Sequence, residues 1–123
     1  MKVHIQKQGN EHFYYPDVMV SCDDQPPSEY YENNPILIIE VLSPSTETRD
    51  KLEKLSAYSR ISSLVEYFTI AQNKVEVHRY SMSDDSTLLT TYQDGDTVEF
   101  SSIGLFLPVK DIYTDVVGKL FND

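Results

Sequence analysis

The alternation of hydrophobic and polar residues predicts strands along most of the chain. Val3 to Ile5 and the stretch from Phe13 to Cys22 both alternate, and turn-forming residues from Gln8 to Glu11 separate them. We therefore expect a hairpin of two strands here. Pro16 interrupts the second stretch, and proline cannot donate a ladder hydrogen bond, so we expect it at an edge, a strand start or a bulge.

The most apolar segment is Pro35 to Leu42, in which Glu40 is the only polar side chain. A strand that is apolar on both faces is typical of a central strand covered on each side. The residues before it, Asp23 to Pro35, contain three prolines, two asparagines and four acids and predict a long loop.

A helix is expected after this strand, from about Glu47 to about Ser59. The hydroxyl residues of Ser43 to Thr46 can cap its first turn. Its inner face is predicted from the spacing of Leu52, Leu55 and either Tyr58 or Ser59.

The second half of the chain predicts more strands and no second domain. The predicted strands are Leu64 to Ile70, Lys74 to Tyr80, Leu88 to Tyr92 and Thr97 to Phe100, with turns at Gln72-Asn73 and Asp94-Gly95. The tail from Leu105 to Phe121 mixes a short strand with a weak helical pattern. Residues 1–123 are therefore expected to form one α/β domain.

The chain is acidic, with 20 Asp and Glu against 10 Lys and Arg and a formal net charge of −10. Such a chain should not bind polyanions by bulk attraction. The basic residues are unevenly spread, however, because Arg49, Lys51, Lys54 and Arg60 fall on one short segment. A run of this kind is ordinarily a solvated helix face.

We expect a cytoplasmic protein that does not enter a membrane. The sequence contains no run of about 18 apolar residues, and its start lacks the apolar region of a signal peptide. The only cysteine, Cys22, is expected to be a small core residue, and the lack of an internal disulfide favours a reducing compartment.

Two acids occupy positions where strands rarely hold them. Glu40 lies in the aliphatic strand, where a buried carboxylate costs several kcal/mol unless it has a partner. Asp17 lies within the second predicted strand. If the two strands are neighbours, these carboxylates can converge on a divalent cation, and oxygen ligands favour Mg²⁺ or Mn²⁺ over Zn²⁺.

Lys54 is the third candidate. The helix that carries it should pack back over the sheet, with Lys51, Lys54 and Tyr58 on one face. An ammonium group there could offset the carboxylates, orient a water or stabilise a phosphoryl transition state. Taken singly, each of these residues is more often a structural acid or a surface lysine. His4, His12 and His78 have no metal-ligand spacing, and nucleotide-binding loops and a serine hydrolase motif are absent from the sequence.

The order of these residues resembles the Uma-type family of restriction endonucleases, within the PD-(D/E)XK nuclease superfamily. The matching segments are Tyr15-Pro16-Asp17-Val18, Ile38-Ile39-Glu40-Val41-Leu42-Ser43-Pro44-Ser45-Thr46, Arg49-Asp50 with Lys54 and Tyr58, and Ser63 to Tyr80. The match is less distinct in the stretch from Pro108 to Tyr113.

The resemblance implies a restriction-endonuclease-like mixed β-sheet flanked by helices. It implies a Mg²⁺ or Mn²⁺ ion held by Asp17, Glu40 and the main-chain oxygen of Val41. Leu42 stands where the superfamily usually has lysine, so the family's helix lysine maps to Lys54, with Lys51 as the fallback. Gln72 is expected to line the site.

The resemblance also bears on assembly. Family members usually carry an additional N-terminal helical region, whereas this sequence starts near the first predicted strand. We therefore expect an apolar sheet face covered by a second copy, giving a homodimer.

Three functions are consistent with the sequence. The first is metal-dependent cleavage of phosphodiester bonds in nucleic acid, with DNA expected over RNA. The second is a non-catalytic protein-binding module on the same fold, using the acidic loop from Asp23 to Glu32 with Tyr30 and Tyr31. The third is an acidic mimic of nucleic acid.

Overall fold

The computed structural model describes residues 3–7, 10–14, 16–21, 34–43, 49–83 and 86–114. Its elements are β1 (Val3–Lys7), β2 (Asn10–Tyr14), β3 (Val18–Ser21), β4 (Pro35–Leu42), α1 (Arg49–Tyr58), β5 (Glu66–Ala71), β6 (Glu76–Met82), β7 (Thr87–Gln93), β8 (Thr97–Phe100), β9 (Leu105–Pro108) and α2 (Val109–Ile112). The predictions for Cys22, for nearly all of the loop from Asp23, for the helix start at Glu47 and for the part of the tail after Thr114 lie outside the described residues. The short strand and helix expected in the tail are present as β9 and α2.

A mixed five-stranded sheet, in the order β3-β4-β5-β6-β7, forms the centre of the described fold. Strands β4 and β5 are parallel and every other neighbouring pair in this sheet is antiparallel. Helix α1 lies between β4 and β5 in the chain, as a parallel pair requires a crossover connection. The central position predicted for Pro35 to Leu42 is confirmed.

The predicted N-terminal hairpin is present, but its second strand is shorter than expected. Strands β1 and β2 pair antiparallel from Val3 opposite Tyr14 to Lys7 opposite Asn10. The single strand predicted from Phe13 to Cys22 is wrong, because β2 ends at Tyr14 and β3 begins at Val18 in a different sheet. Asp17 therefore lies in a bend just before β3 rather than within a strand.

Helix α1 covers one face of the sheet with part of the predicted set of side chains. Tyr58 is buried and Leu55 packs against the same core, as predicted. Leu52 is 64% exposed and Ser59 is exposed, so neither belongs to the inner face. The buried residues of α1 are Ala57 and Tyr58, and Lys54 lies one turn before Tyr58 on the same face. Leu52 is two positions from Lys54, and residues at that spacing point in different directions, so Leu52 faces away from the sheet. No helix in the described ranges is long and apolar enough to cross a membrane.

The opposite face of the sheet packs against the β8–β9 hairpin and α2. Buried side chains from both layers make this core, and they are Leu37, Phe68, Ile70, Val77, Val98, Phe100, Val109 and Ile112. The Phe68 and Phe100 rings lie 4.5 Å apart between their centroids. The chain leaves the main sheet at the Asp94-Gly95 turn, where Gly95 has φ +95°, a conformation that favours glycine.

A buried carboxylate joins the β8–β9 connection to the sheet. Glu66, at the start of β5, accepts hydrogen bonds from Arg79 Nε at 2.9 Å and from the Ser102 N–H at 2.8 Å. The hydroxyls of Ser101 and Ser102 also donate to it. Burial raises the pKa of Glu66, but the hydrogen bonds from Ser102 and Arg79 and the charge of Arg79 outweigh this and lower it overall. The hydrogen bonds of Glu66 thus hold the β8–β9 hairpin against β5 and β6.

Glu66→Gln should lower the free energy of unfolding by about 3 kcal/mol at pH 7, because it leaves the largely buried Arg79 charge unpaired. The folded-state pKa of Glu66 lies below its ordinary value of 4.5, so its contribution is complete above that pH and is lost as pH falls through the folded value. Urea unfolding should therefore show a large difference from wild type at pH 7 and a smaller one in acid.

The matched control is Glu99→Gln, which changes an exposed glutamate on β8 and should alter stability by less than about 0.5 kcal/mol. Equal effects of the two substitutions at pH 7 would show that the Glu66 network does not hold the hairpin.

Candidate active site

Glu40 is a buried carboxylate at the carboxyl-terminal end of β4. The residue is 3% exposed and lies on the face of the sheet that α1 covers. Its Oε1 accepts a hydrogen bond from Lys54 Nζ at 2.8 Å, and its Oε2 accepts one from the Tyr67 hydroxyl at 3.2 Å. The partner that a carboxylate in this strand requires is thus supplied by two elements, helix α1 and strand β5.

Lys54 reaches Glu40 because of the way α1 follows β4. The helix returns over the sheet between the parallel strands β4 and β5, and its inner stripe at Lys54 and Tyr58 faces β4. The Lys54 side chain is partly exposed while the Glu40 carboxylate is almost fully enclosed. The ion pair therefore lies at the boundary between the core and solvent.

Asp17 reaches the same end of β4 from the neighbouring strand. Its Oδ2 accepts a hydrogen bond from the main-chain N–H of Val41 at 2.8 Å. Strands β3 and β4 pair with Val18 opposite Ile39, so the same register carried one residue further sets Asp17 opposite Glu40. The Asp17 and Glu40 segments are therefore neighbours, which is the condition under which the two carboxylates were expected to converge.

The main-chain oxygen of Val41 points towards the same edge. The carbonyls of Ile36 and Leu42 accept hydrogen bonds from the β5 side of the sheet, from Val65 and Gln72 respectively. Backbone groups alternate in direction along a strand, so those of Val41 point to the β3 side, as its bond to Asp17 also shows.

Pro16 lies where the β3–β4 ladder ends. The paired residues stop at Val18 opposite Ile39, and Asp17 lies in a bend before β3. Proline has no N–H, so Pro16 cannot extend the ladder as a donor. The Val41 N–H instead donates to the Asp17 side chain.

A row of polar side chains crosses the sheet at this level. Glu40 pairs with Thr69, Thr69 with His78, and His78 with Thr91, so all four lie on the α1 face with Asp17 at the β3 end. His78 Nε2 contacts Glu76 Oε1 at 2.7 Å. The adjacent row is apolar or aromatic and contains Met19, Ile38, Tyr67, Tyr80 and Leu89. The candidate site therefore lies where the apolar packing under α1 gives way to polar side chains.

Tyr67 is a contact that the sequence did not predict. The signal for it is the parallel pairing of β4 with β5, which sets Tyr67 beside Ile38, two residues from Glu40 and on the same face. Burial, together with the Glu40 charge, raises the pKa of Tyr67 far above its ordinary value. Its hydroxyl therefore stays protonated and acts as a donor.

The remaining predicted residues differ in how well they are placed. The main-chain N–H of Gln72 donates to the Leu42 carbonyl at 3.0 Å, so Gln72 lies just past the end of β4 beside the site. The Lys51 side chain lies outside the described part of the chain. Among the described residues, no three His, Cys, Asp or Glu side chains form a metal-binding group. The catalytic and metal-binding roles of Asp17, Glu40, Val41 and Lys54 stay predictions.

Curated relatives share sequence with most of this chain. An uncharacterized protein of Synechocystis sp., slr1290, is 37% identical over 111 residues, which are 89% of this chain and 58% of that protein. A second uncharacterized protein of the same organism, sll1609, is 37% identical over 93 residues, 73% of this chain and 52% of that protein. The chain thus spans little more than half the length of these relatives.

A solved structure shares the fold. It is the crystal structure of a "putative nuclease belonging to DUF820" from Anabaena variabilis, with a TM-score of 0.62 at 21% identity. The similarity covers 92% of this chain and 64% of that one. The mixed sheet with its helices is thus a restriction-endonuclease-like fold, as the resemblance implied.

The family assignment rests on a match over nearly the whole chain. Residues 1–110 match the model of the family described as "Uma2: Putative restriction endonuclease". The match includes the segments around Asp17, Glu40 and Lys54 that carried the resemblance. The chain belongs to the Uma2 family.

Proposed function

We propose that this chain is a metal-dependent nuclease that cleaves phosphodiester bonds in nucleic acid, with DNA as the expected substrate and Mg²⁺ or Mn²⁺ as the cofactor. The observation that carries the proposal is the Glu40–Lys54 ion pair at the end of β4, next to the residue whose main-chain N–H donates to the Asp17 carboxylate. Family membership supports the reaction class.

The donor set fits a hard divalent cation. The oxygens of Asp17, Glu40 and the Val41 main chain are of the type that Mg²⁺ and Mn²⁺ prefer. An ionised carboxylate offers about four acceptor positions, and Lys54 and Tyr67 each use one at Glu40. Glu40 therefore keeps the capacity to bind a cation while its two hydrogen bonds persist.

The chain's own residues have separate tasks in this proposal. Asp17 and Glu40 would hold the cation, and the Val41 carbonyl would supply the third oxygen. Lys54 balances the negative charge of Glu40 and offers an ammonium group to the charge that develops on a phosphate. The chemistry that a divalent cation supplies in such a site is polarisation of a phosphate oxygen and activation of water.

The net charge of −10 restricts how the substrate is held. Bulk attraction cannot bring a polyanion to this chain, so affinity has to come from local cations and from the metal ion. In this proposal the local charge comes from the basic segment that contains α1, in which Lys54 contacts Glu40. We expect the affinity for nucleic acid to be weak and to fall steeply with salt.

We also propose that the protein is cytoplasmic, as the sequence predicts.

Asp17→Asn should reduce cleavage by at least about 100-fold, because it removes a charged ligand of the cation. The measurement is degradation of supercoiled plasmid, single-stranded DNA and RNA with Mg²⁺ or Mn²⁺. Asp94→Asn, in the exposed β7–β8 turn, is the matched control and should leave the rate unchanged.

Cleavage that persists in Asp17→Asn would come from a contaminant and would contradict the proposal. If the unsubstituted protein binds neither cation by calorimetry, the nuclease assignment fails. The non-catalytic protein-binding module on the same fold then becomes the better description.

Lys54→Arg should lower the cleavage rate at least about tenfold while changing cation affinity by less than threefold. Arginine keeps the charge opposite Glu40 and hence the fold, but its planar guanidinium group cannot reproduce the position of the ammonium group. Single-turnover rates and calorimetric titration of Mn²⁺ separate the two effects.

Lys51→Arg is the comparison that decides between the two lysines. It should leave the rate near wild type if Lys54 is the lysine of the site. A slow Lys51→Arg with a normal Lys54→Arg would assign the role to Lys51 instead.

We also propose that the chain forms a homodimer through an apolar groove on the face of the sheet opposite to α1. The groove has a volume of about 240 Å³ and lies between the edge strand β3, the β8–β9 hairpin and α2. Its lining is Val18, Val20, Leu37, Ile39, Ile70, Phe100, Ile103, Leu105, Leu107 and Ile112. Several of these side chains are exposed on its rim, and exposed apolar patches mark interaction surfaces.

Leu105→Asp, at a groove residue that is 42% exposed, should convert the dimer into a monomer in sedimentation velocity. A carboxylate inside an apolar interface is costly to desolvate. Leu88→Asp is the control, because Leu88 is 67% exposed on β7 and away from the groove, and should stay dimeric. A wild-type protein that sediments as one 14.2 kDa chain at all concentrations would refute the dimer.

A further inference from the structure

Tyr67, on strand β5, contacts the oxygen of the Glu40 carboxylate that Lys54 leaves free. Its hydroxyl donates to Oε2 at 3.2 Å, whereas Lys54 Nζ donates to Oε1 at 2.8 Å. The two carboxylate oxygens are thus held separately, one from strand β5 and one from helix α1. We propose that Tyr67 is a positioning residue that fixes the orientation of the Glu40 carboxylate for a divalent cation. This inference rests on the proposed function.

The position of the Tyr67 ring is fixed by its surroundings. The residue is 0% exposed. Its ring meets the Tyr58 ring edge-on with centroids 5.0 Å apart, and it stacks on the Tyr80 ring at 5.8 Å. Aromatic pairs in these arrangements restrict one another's rotation. The packing of the ring therefore fixes the position of the Tyr67 hydroxyl next to Glu40 Oε2.

Lys54 alone would not fix the orientation of the Glu40 carboxylate. An ammonium group acts as a point charge on a flexible stem, and the last torsion of a glutamate side chain is broad. A directional hydrogen bond from a rigid ring restricts that torsion and so selects which lone pairs face the Asp17 edge. Residues that orient metal ligands in this way typically contribute 10–100-fold to metal affinity.

A purely structural role predicts a different outcome, and Tyr80 allows the two to be separated. Tyr80 is buried in the same aromatic stack but lies on β6, two strands away from Glu40. Removing its hydroxyl should perturb the stack without altering the orientation of the carboxylate.

The test is calorimetric titration of Mn²⁺ into the full chain carrying Tyr67→Phe, Tyr80→Phe, Glu40→Gln or the Tyr67→Phe and Glu40→Gln pair. Tyr67→Phe should weaken Mn²⁺ binding about tenfold, and Tyr80→Phe should stay within twofold of wild type. In the Glu40→Gln background, Tyr67→Phe should cause no further loss, because Tyr67 acts through the carboxylate. Circular dichroism at the titration temperature establishes that each variant is folded.

Incorporation of 4-fluorophenylalanine at position 67 supplies a second variant, since fluorine fills the place of the hydroxyl without donating. It should weaken Mn²⁺ binding as Tyr67→Phe does. Equal affinities for Tyr67→Phe and Tyr80→Phe, or the same loss in the Glu40→Gln background, would overturn the positioning role and leave the nuclease proposal intact. A wild-type protein that binds no Mn²⁺ would overturn both.

Discussion

The enclosure of one carboxylate in an aliphatic strand constrains the rest of this fold. Glu40 gives up most of its contact with water, and an ionised group so placed must be paired and hydrogen-bonded. Lys54 and Tyr67 meet that requirement from a helix and from a neighbouring strand. The return of α1 over the sheet and the parallel register of β5 are therefore both tied to the position of Glu40.

The molecule separates this carboxylate from a second buried one. Glu66 lies at the opposite end of the β4–β5 pair, on the other face of the sheet, and is bonded to Arg79 and Ser102. Its partners are internal and hold two layers together. Glu40, by contrast, lies where the packing under α1 ends, next to the exposed Asp17. The Glu66 carboxylate thus stabilises the packing of two layers, whereas the Glu40 carboxylate lies where a ligand could reach it.

Much of this arrangement could be predicted from local pattern. The aliphatic run around Glu40 identified the central strand, and the two acids within predicted strands identified the candidate site. The strand through Pro16 and the inward position of Leu52 were predicted wrongly. Alternation cannot show that a chain bends between two sheets, and helical spacing placed Lys54 with Tyr58 but did not exclude Leu52 from the inner face. Tyr67 was missed as a contact because its role depends on the register between two strands, which no single segment encodes.

The interruption of pairing at Pro16 has a consequence for how such a site can be lost. Any other residue at position 16 would carry an amide hydrogen, so β3 could be extended along β4 by further main-chain pairing. A longer ladder would strengthen the sheet and would replace the bond between the Asp17 side chain and the Val41 N–H. Greater stability and loss of the proposed ligand would then result from the same substitution.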